Sequence, residues 1–172
     1  VLDESKSKTL PMMEVMVNHF KPFFLGILIC ISGYVLFYIM IAFSQIYAKS
    51  APIISEAGYV MGLGFSPQIF TALLMFSSVS LAITITISGK YIDKVGRRIW
   101  LIWTTVGVAL FGLALPYFLK NGTTVSLFWF LITGMGLIGM GYGPLSSFLP
   151  ELFPTHVRYT GSSLTYNIAG LF

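Results

Sequence analysis

The stretch Gly89–Arg98, GKYIDKVGRR, places Lys90, Asp93, Lys94, Arg97 and Arg98 close together in a 172-residue chain that is only 9% charged. On both sides of it charge disappears. No Asp, Glu, Lys or Arg occurs from Ala57 to Gly89 or from Ile99 to Leu119, and two further runs, Pro22–Ala48 and Asn121–Pro150, are equally free of them. A bilayer-spanning helix needs about 20 predominantly apolar residues, and each run is that long. The whole chain is 56% hydrophobic with mean hydropathy +0.85, whereas soluble domains carry roughly 25% charged residues. Gly89–Arg98 therefore reads as a polar hairpin between two membrane helices.

Working outward, the spacing predicts helices over about 23–47, 67–88, 99–119 and 125–148, with a fifth starting at 161 and cut short at Phe172. The expected fold class is an all-α membrane protein with four complete transmembrane helices and the start of a fifth. Ser66 can cap the second span and Pro67 suits its first turn. Alternating strands are excluded by the unbroken apolar runs, because backbone groups surrounded by lipid must pair within a helix. Val1 in place of an initiator Met, together with the unfinished last helix, reads as a piece of a longer protein. The first apolar run is too long for a signal-peptide core and lacks a small-residue cleavage pattern. Cys30, the single cysteine, lies inside the first span and is expected to be a small packing residue.

Basic residues set the expected orientation, since short loops rich in Lys and Arg stay cytoplasmic. Lys6, Lys8, Lys21, Lys90, Lys94, Arg97, Arg98 and Arg158 fall on one side, and only Lys49 and Lys120 on the other. Residues 1–21 are thus a cytoplasmic loop and 22–172 the membrane bundle. Topology alone would explain the basic charges of the hairpin. It does not require Gly89, Asp93 or Gly96. If the preceding helix continues by one turn, Gly89 and Asp93 share a face, and Asp93 reaches Arg97 at the next i,i+4 step. Gly89 would let a neighbouring helix come close, and Gly96 would permit a tight turn. A second charged stretch on the same side, PELFPTHVRYTG (Pro150–Gly161), carries Glu151 and Arg158, and its two prolines predict an elbow. Glu151 and Arg158 either join an ionic network with the hairpin or stand as independent solvated charges.

Gly89, Asp93, Lys94, Gly96, Arg97 and Arg98 fit G-x-x-x-D-[RK]-x-G-R-[RK], and on these residues the chain strongly resembles the major facilitator superfamily of secondary transporters. PELFPTHVRYTGSSLTYNIAG, from Pro150, is similar to the segment joining helices ten and eleven in its metabolite:proton symporters, the proline/betaine, α-ketoglutarate, citrate and shikimate permeases. The resemblance places the chain at the end of the central cytoplasmic loop (1–21) followed by a partial C-terminal bundle (22–172). It implies alternating access, in which two six-helix bundles rock about a central site in a cell inner membrane. Asp93, Arg97, Glu151 and Arg158 would then belong to a cytoplasmic latch. The implied partners are a small polar metabolite, protons, the bilayer and the N-terminal six-helix bundle that this chain lacks. A proton-driven exporter of the same superfamily shares the hairpin pattern, but the elbow favours a symporter.

No Asp, Glu, Lys, Arg or His lies deep inside any of the four spans, so a proton-carrying residue is expected in the half that this chain lacks. His19 and His156 are expected to be surface residues. Uncharged polar groups remain as candidate substrate contacts: Tyr34, Tyr38 and Gln45 along one stripe of the first span with Ser44 bordering it, Tyr142 in the fourth, and Tyr166 and Asn167 in the last. Each could equally serve an interhelical hydrogen bond. GMGLIG (Gly134–Gly139) matches the dinucleotide fingerprint G-x-G-x-x-G, but it sits in an uncharged run without the preceding strand or the later acid. Its glycines, with Gly141 and Gly143, instead predict a smooth face for close helix packing, and Pro144 a kink. Trp100, Trp103 and Tyr91 on one side, and Tyr47, Tyr59 and Tyr117 on the other, suit interfacial belts. The connection Ala51–Phe65, with Pro52, Gly58, Gly62, Gly64 and the solvated acid Glu56, is expected to be irregular. No metal-ligand spacing, second cysteine, paired acids or nucleic-acid patch is apparent, so no cofactor is expected, and a membrane enzyme is disfavoured. A non-catalytic scaffold is the alternative of another class; it would show no substrate flux.

Overall fold

The structure, a computed structural model, describes residues 10–54, 60–120 and 122–171. Lys6, Lys8, Glu56, Gly58 and Tyr59 lie outside the described residues. The described residues are all-α apart from one minimal β pair: α1 (Pro11–Asn18), α2 (Phe20–Tyr38), a π-helical segment (Ile39–Phe43), α3 (Ser44–Lys49), β1 (Ile53–Ile54), β2 (Val60–Met61), α4 (Pro67–Val95), α5 (Arg97–Lys120), α6 (Thr124–Glu151) and α7 (Arg158–Ala169). Four helical stretches, Phe20–Lys49, Pro67–Val95, Arg97–Lys120 and Thr124–Glu151, are long and apolar enough to cross a membrane. They are the four expected spans.

Their ends differ from expectation in informative ways. Helix α4 starts as expected, with the Ile69 amide donating to Ser66 Oγ at 3.4 Å and Pro67 in the first turn. It continues past Ser88 to Val95 and stops where Gly96 takes φ 93°, a conformation that side chains resist. The elbow is shorter than expected, because Arg158 already begins α7. Pro144 does not interrupt α6, which runs unbroken to Glu151. The first span is not one regular helix. Between α2 and α3 the Ser44 amide donates to the Ile39 carbonyl five residues back, the signature of a π turn.

The connection after α3 is less irregular than its glycines suggest. Strands β1 and β2 pair antiparallel, Ile53 with Met61 and Ile54 with Val60. The chain then folds back so that the amides of Leu63, Gly64 and Phe65 donate to the carbonyls of Tyr47, Ser50 and Ala48 at 3.1, 2.8 and 2.8 Å. These are carbonyls that a helix end leaves without intrahelical partners, so the return strand caps α3.

The described residues fall into two compact units, one made of the chain up to Tyr34 with that from Leu145 onward, the other of Val35–Pro144. In the first, Val15, Phe23, Cys30, Leu149, Phe153 and Val157 form a buried core. Helix α1, which the sequence reading assigned to a loop, contributes Val15 to it; Pro11 at its start and Glu14 in its first turn are favourable helix-start residues. In the second unit Met40, Phe70, Phe111, Phe130 and Leu131 are buried together, with the rings of Phe111 and Phe130 stacked at 5.3 Å.

Within this second unit α4 and α6 pack closely. A Cβ placed on Gly139 would lie 2.6 Å from the Leu81 carbonyl oxygen, and one on Gly143 would collide with Ser88 Oγ. Ser80 Oγ donates across the interface to the Ile132 carbonyl at 2.9 Å and Ser88 Oγ reaches Gly139 O at 3.5 Å. Hydroxyls in a largely apolar setting must find acceptors, and the half-buried Ser80 and buried Ser88 find them on both helices. Of the expected glycine face, Gly139 and Gly143 pack tightly against α4, whereas Gly134 meets Met40 and Gly141 meets Thr104 of α5.

Candidate functional site

The α4–α5 turn presents the polar hairpin. Gly89, Lys90, Asp93, Lys94 and Arg98 are exposed, and Arg97 is half-buried. Lys94 Nζ stands 5.7 Å from the Tyr91 ring centroid, a cation–π distance. Two expected contacts are not made among the described residues. A Cβ at Gly89 would meet nothing within 4 Å, so no helix among the described residues approaches it. Asp93 forms no ion pair among the described residues. The reason is Gly96: α4 ends before it and α5 begins at Arg97, so the continuous helix that an i,i+4 pair needs does not exist.

At the elbow, Glu151 is exposed at the end of α6 and Arg158 is half-buried at the start of α7. Arg158 Nε donates to the Phe153 carbonyl at 3.5 Å, so its guanidinium helps hold the elbow's own backbone. The Phe153 ring lies against Gly161, where an added Cβ would come within 2.5 Å of it.

The candidate substrate residues are dispersed in character. Tyr34 is half-buried, with its ring edge facing Gly170. Tyr38 is 48% exposed and packs edge-on to Phe37 at 6.1 Å. Gln45 is half-buried and makes no hydrogen bond among the described residues. The π segment lies between Tyr38 and Gln45 and widens the turn, which rotates Gln45 off the Tyr38 stripe by about a quarter of a turn. Ser44 is buried and donates to the Met40 carbonyl. Tyr142 is half-buried against the Phe111–Phe130 core. Asn167 is exposed, and its Nδ2 donates to the Ser163 carbonyl at 2.8 Å, within its own helix.

Three features escaped sequence reasoning. Met40 is fully buried and fills the space at Gly134, where an added Cβ would overlap its thioether. Trp100, expected as a belt residue, is half-buried and locks α5 to α6 by donating from Nε1 to the Met140 carbonyl at 2.9 Å. Trp103 and Tyr117 are 71% and 81% exposed. Finally, His19 and His156, expected as separate surface residues without metal-ligand spacing, come together with Glu14: ligand atoms of the three lie within 4.8 Å of one another. Linear spacing could not reveal this, because the fold joins Glu14 to a residue 142 positions away.

The profile of the Major Facilitator Superfamily matches residues 3–172. A Haemophilus influenzae protein provisionally named a metabolite transport protein is 81% identical over 99% of this chain, which spans 38% of that relative's length. The inner membrane metabolite transport protein YhjE of Escherichia coli is 33% identical over 99% of the chain, again 38% of the relative. A proline/betaine transporter of Salmonella typhimurium is 36% identical over 49% of the chain and 17% of its own length. No solved structure matches the chain.

Proposed function

We propose, since the chain belongs to the Major Facilitator Superfamily, that it is part of a secondary transporter that moves a small polar metabolite with protons across a cell inner membrane. The observation that carries this reading is the family match along residues 3–172, joined to relatives named for metabolite transport. Relatives of greater length fit a protein in which a further bundle completes the substrate site. The similarity to a proline/betaine transporter and the neutral polar side chains Tyr34, Tyr38, Gln45, Tyr142 and Asn167 support a small polar substrate. No Asp, Glu, Lys, Arg or His stands in the middle of the spans, which supports a proton carrier outside this chain.

The α4–α5 turn and the elbow are read as the inner gate. Asp93, Lys94, Arg97 and Arg98 form a mostly exposed ionic edge at the Gly96 break, and Glu151 and Arg158 flank the elbow. Exposed ion pairs are worth about 0–1 kcal/mol, weak enough to be exchanged in each cycle. The α4–α6 contact supplies a closely packed, hydroxyl-lined seam along which helices can shift while their hydrogen bonds are re-formed locally.

The test is uptake of labelled proline, betaine, α-ketoglutarate, citrate and shikimate into vesicles holding the protein that carries this chain, with and without an imposed pH gradient. Gradient-dependent accumulation of one of them is expected. Accumulation of none under any gradient would overturn the symport reading.

A further inference from the structure

We propose that Glu14, His19 and His156 form a binding site for a divalent transition-metal ion, best matched by Zn2+, which ties the α1–α2 junction to the elbow between α6 and α7. His156 Nε2 lies 2.8 Å from Glu14 Oε1, and the His19 and His156 rings meet edge-on with centroids 6.4 Å apart. One ligand atom from each residue falls within a 4.8 Å cluster.

The plain alternative is a surface hydrogen bond between His156 and Glu14. It accounts for two of the three residues and leaves His19 unexplained. His19 is half-buried, and neither of its ring nitrogens is hydrogen-bonded among the described residues. A half-buried imidazole turned toward a histidine–carboxylate pair is what a third ligand would look like.

Geometry and chemistry agree. Bonds of about 2.0–2.1 Å to nitrogen and oxygen in a tetrahedral site put neighbouring ligand atoms about 3.3 Å apart. The His156–Glu14 pair must open slightly and His19 must close in, movements within reach of side chains that sit on short segments at the surface. Two imidazoles and one carboxylate make a borderline donor set, which suits Zn2+ and Co2+ and is poor for the all-oxygen preference of Mg2+ and Ca2+. Three protein ligands leave one position for water. His156, with a side chain 59% exposed, opens the site to solvent.

The backbone around the three residues is suited to holding them. Val15, next to Glu14, and Val157, next to His156, are buried in the same core at 0% and 1% exposure. Phe153 and Pro154 turn the elbow just before His156, with the Val157 amide donating to the Pro154 carbonyl at 3.1 Å. The ligands thus project from two anchored segments, and an ion would cross-link them.

The experiment uses the protein that carries this chain, purified in lipid nanodiscs with a histidine-free affinity tag. Zn2+ is titrated calorimetrically and Co2+ by its visible absorption, against wild type, His156→Ala, His19→Ala and Glu14→Gln. Wild type is expected to bind Zn2+ saturably, to gain melting temperature with it, and to show a Co2+ band; excess Mg2+ should not compete. Each variant should weaken Zn2+ by at least about tenfold, since loss of even an outer-shell partner costs that much. His156 is exposed, so His156→Ala is expected to fold normally and decides the matter if His19→Ala does not. Unchanged Zn2+ affinity in His156→Ala, or no saturable binding in wild type, would overturn the proposal. Transport activity does not enter the readout, so this result and the uptake result stand apart.

Discussion

The buried Ser88 hydroxyl of α4 occupies the space that a side chain at Gly143 of α6 would need. Four residues earlier, Gly139 lies against the Leu81 carbonyl and Thr84. The two glycines are one helical turn apart, so a single stripe of α6 admits the backbone and hydroxyls of α4 along its length. Glycine is required here by proximity. Its backbone conformation is ordinary helix.

Gly139→Ala is therefore expected to destabilise the protein by about 1–3 kcal/mol, the usual cost of inserting a methyl into a packed interface. The Leu81 backbone oxygen, 2.6 Å from the new Cβ, cannot move aside as a side chain would. Gly112→Ala in α5 is the control, since a Cβ there meets nothing within 4 Å. It should not destabilise, and could add up to about 1 kcal/mol, because Ala is the better helix former. Denaturant unfolding in micelles compares the two directly.

Gly96 and Gly89 should separate by mechanism. Gly96 holds φ 93°, so Gly96→Ala should cost about 1–3 kcal/mol in strain even though open space surrounds it. Gly89→Ala, in regular helix and open space, should not destabilise the protein, and, if the proposed gate closes on this face with a further bundle, it should slow uptake. Normal uptake by Gly89→Ala at equal membrane abundance would remove Gly89 from the gate.

Asp93→Asn tests the charge itself. The side chain is exposed and unpaired among the described residues, so stability and membrane abundance are expected to be unaffected. Initial uptake should fall if Asp93 takes an ionic partner only in the closed gate. Unchanged initial rates would reduce the hairpin charges to markers of topology.

Trp100→Phe removes one donor and keeps the ring. The lost bond to the Met140 carbonyl should cost about 0.5–1.5 kcal/mol, in the range of a typical intramolecular hydrogen bond. Trp103→Phe, on a 71% exposed side chain of the same helix, should cost within about 0.5 kcal/mol in micelles. Equal effects of the two would mean that the Trp100 bond contributes nothing measurable.

Much of the architecture was legible because charge is so scarce. The gaps Lys21–Lys49, Glu56–Lys90, Arg98–Lys120 and Lys120–Glu151 delimit the four spans, and Gly96 marked the break between α4 and α5. Boundaries shifted where helices run on into the polar edge, as α4 does to Val95. The π segment was not legible, because Ile39–Phe43 lies in a uniformly apolar run that gives periodicity no phase. The Asp93–Arg97 pairing was read from a helix that Gly96 in fact ends. The Glu14–His19–His156 cluster needed the fold, since two of its members stand on α1 and the junction after it while the third lies in the elbow.

Met40 and Gly134 offer the sharpest test of packing around the π segment. The fully buried Met40 side chain fills the gap that Gly134 leaves, and the Ser44 hydroxyl returns to the Met40 carbonyl. Met40→Ala should leave a cavity and cost about 2–5 kcal/mol. Gly134→Ala alone should also destabilise, because its Cβ would overlap the Met40 thioether, though a flexible methionine can yield more readily than the backbone facing Gly139. In the double variant the new methyl on α6 enters space vacated by Met40, so its cost should fall below the sum of the single costs by at least about 0.5 kcal/mol, a coupling characteristic of residues in contact. Additive costs would mean that the two residues do not share that space.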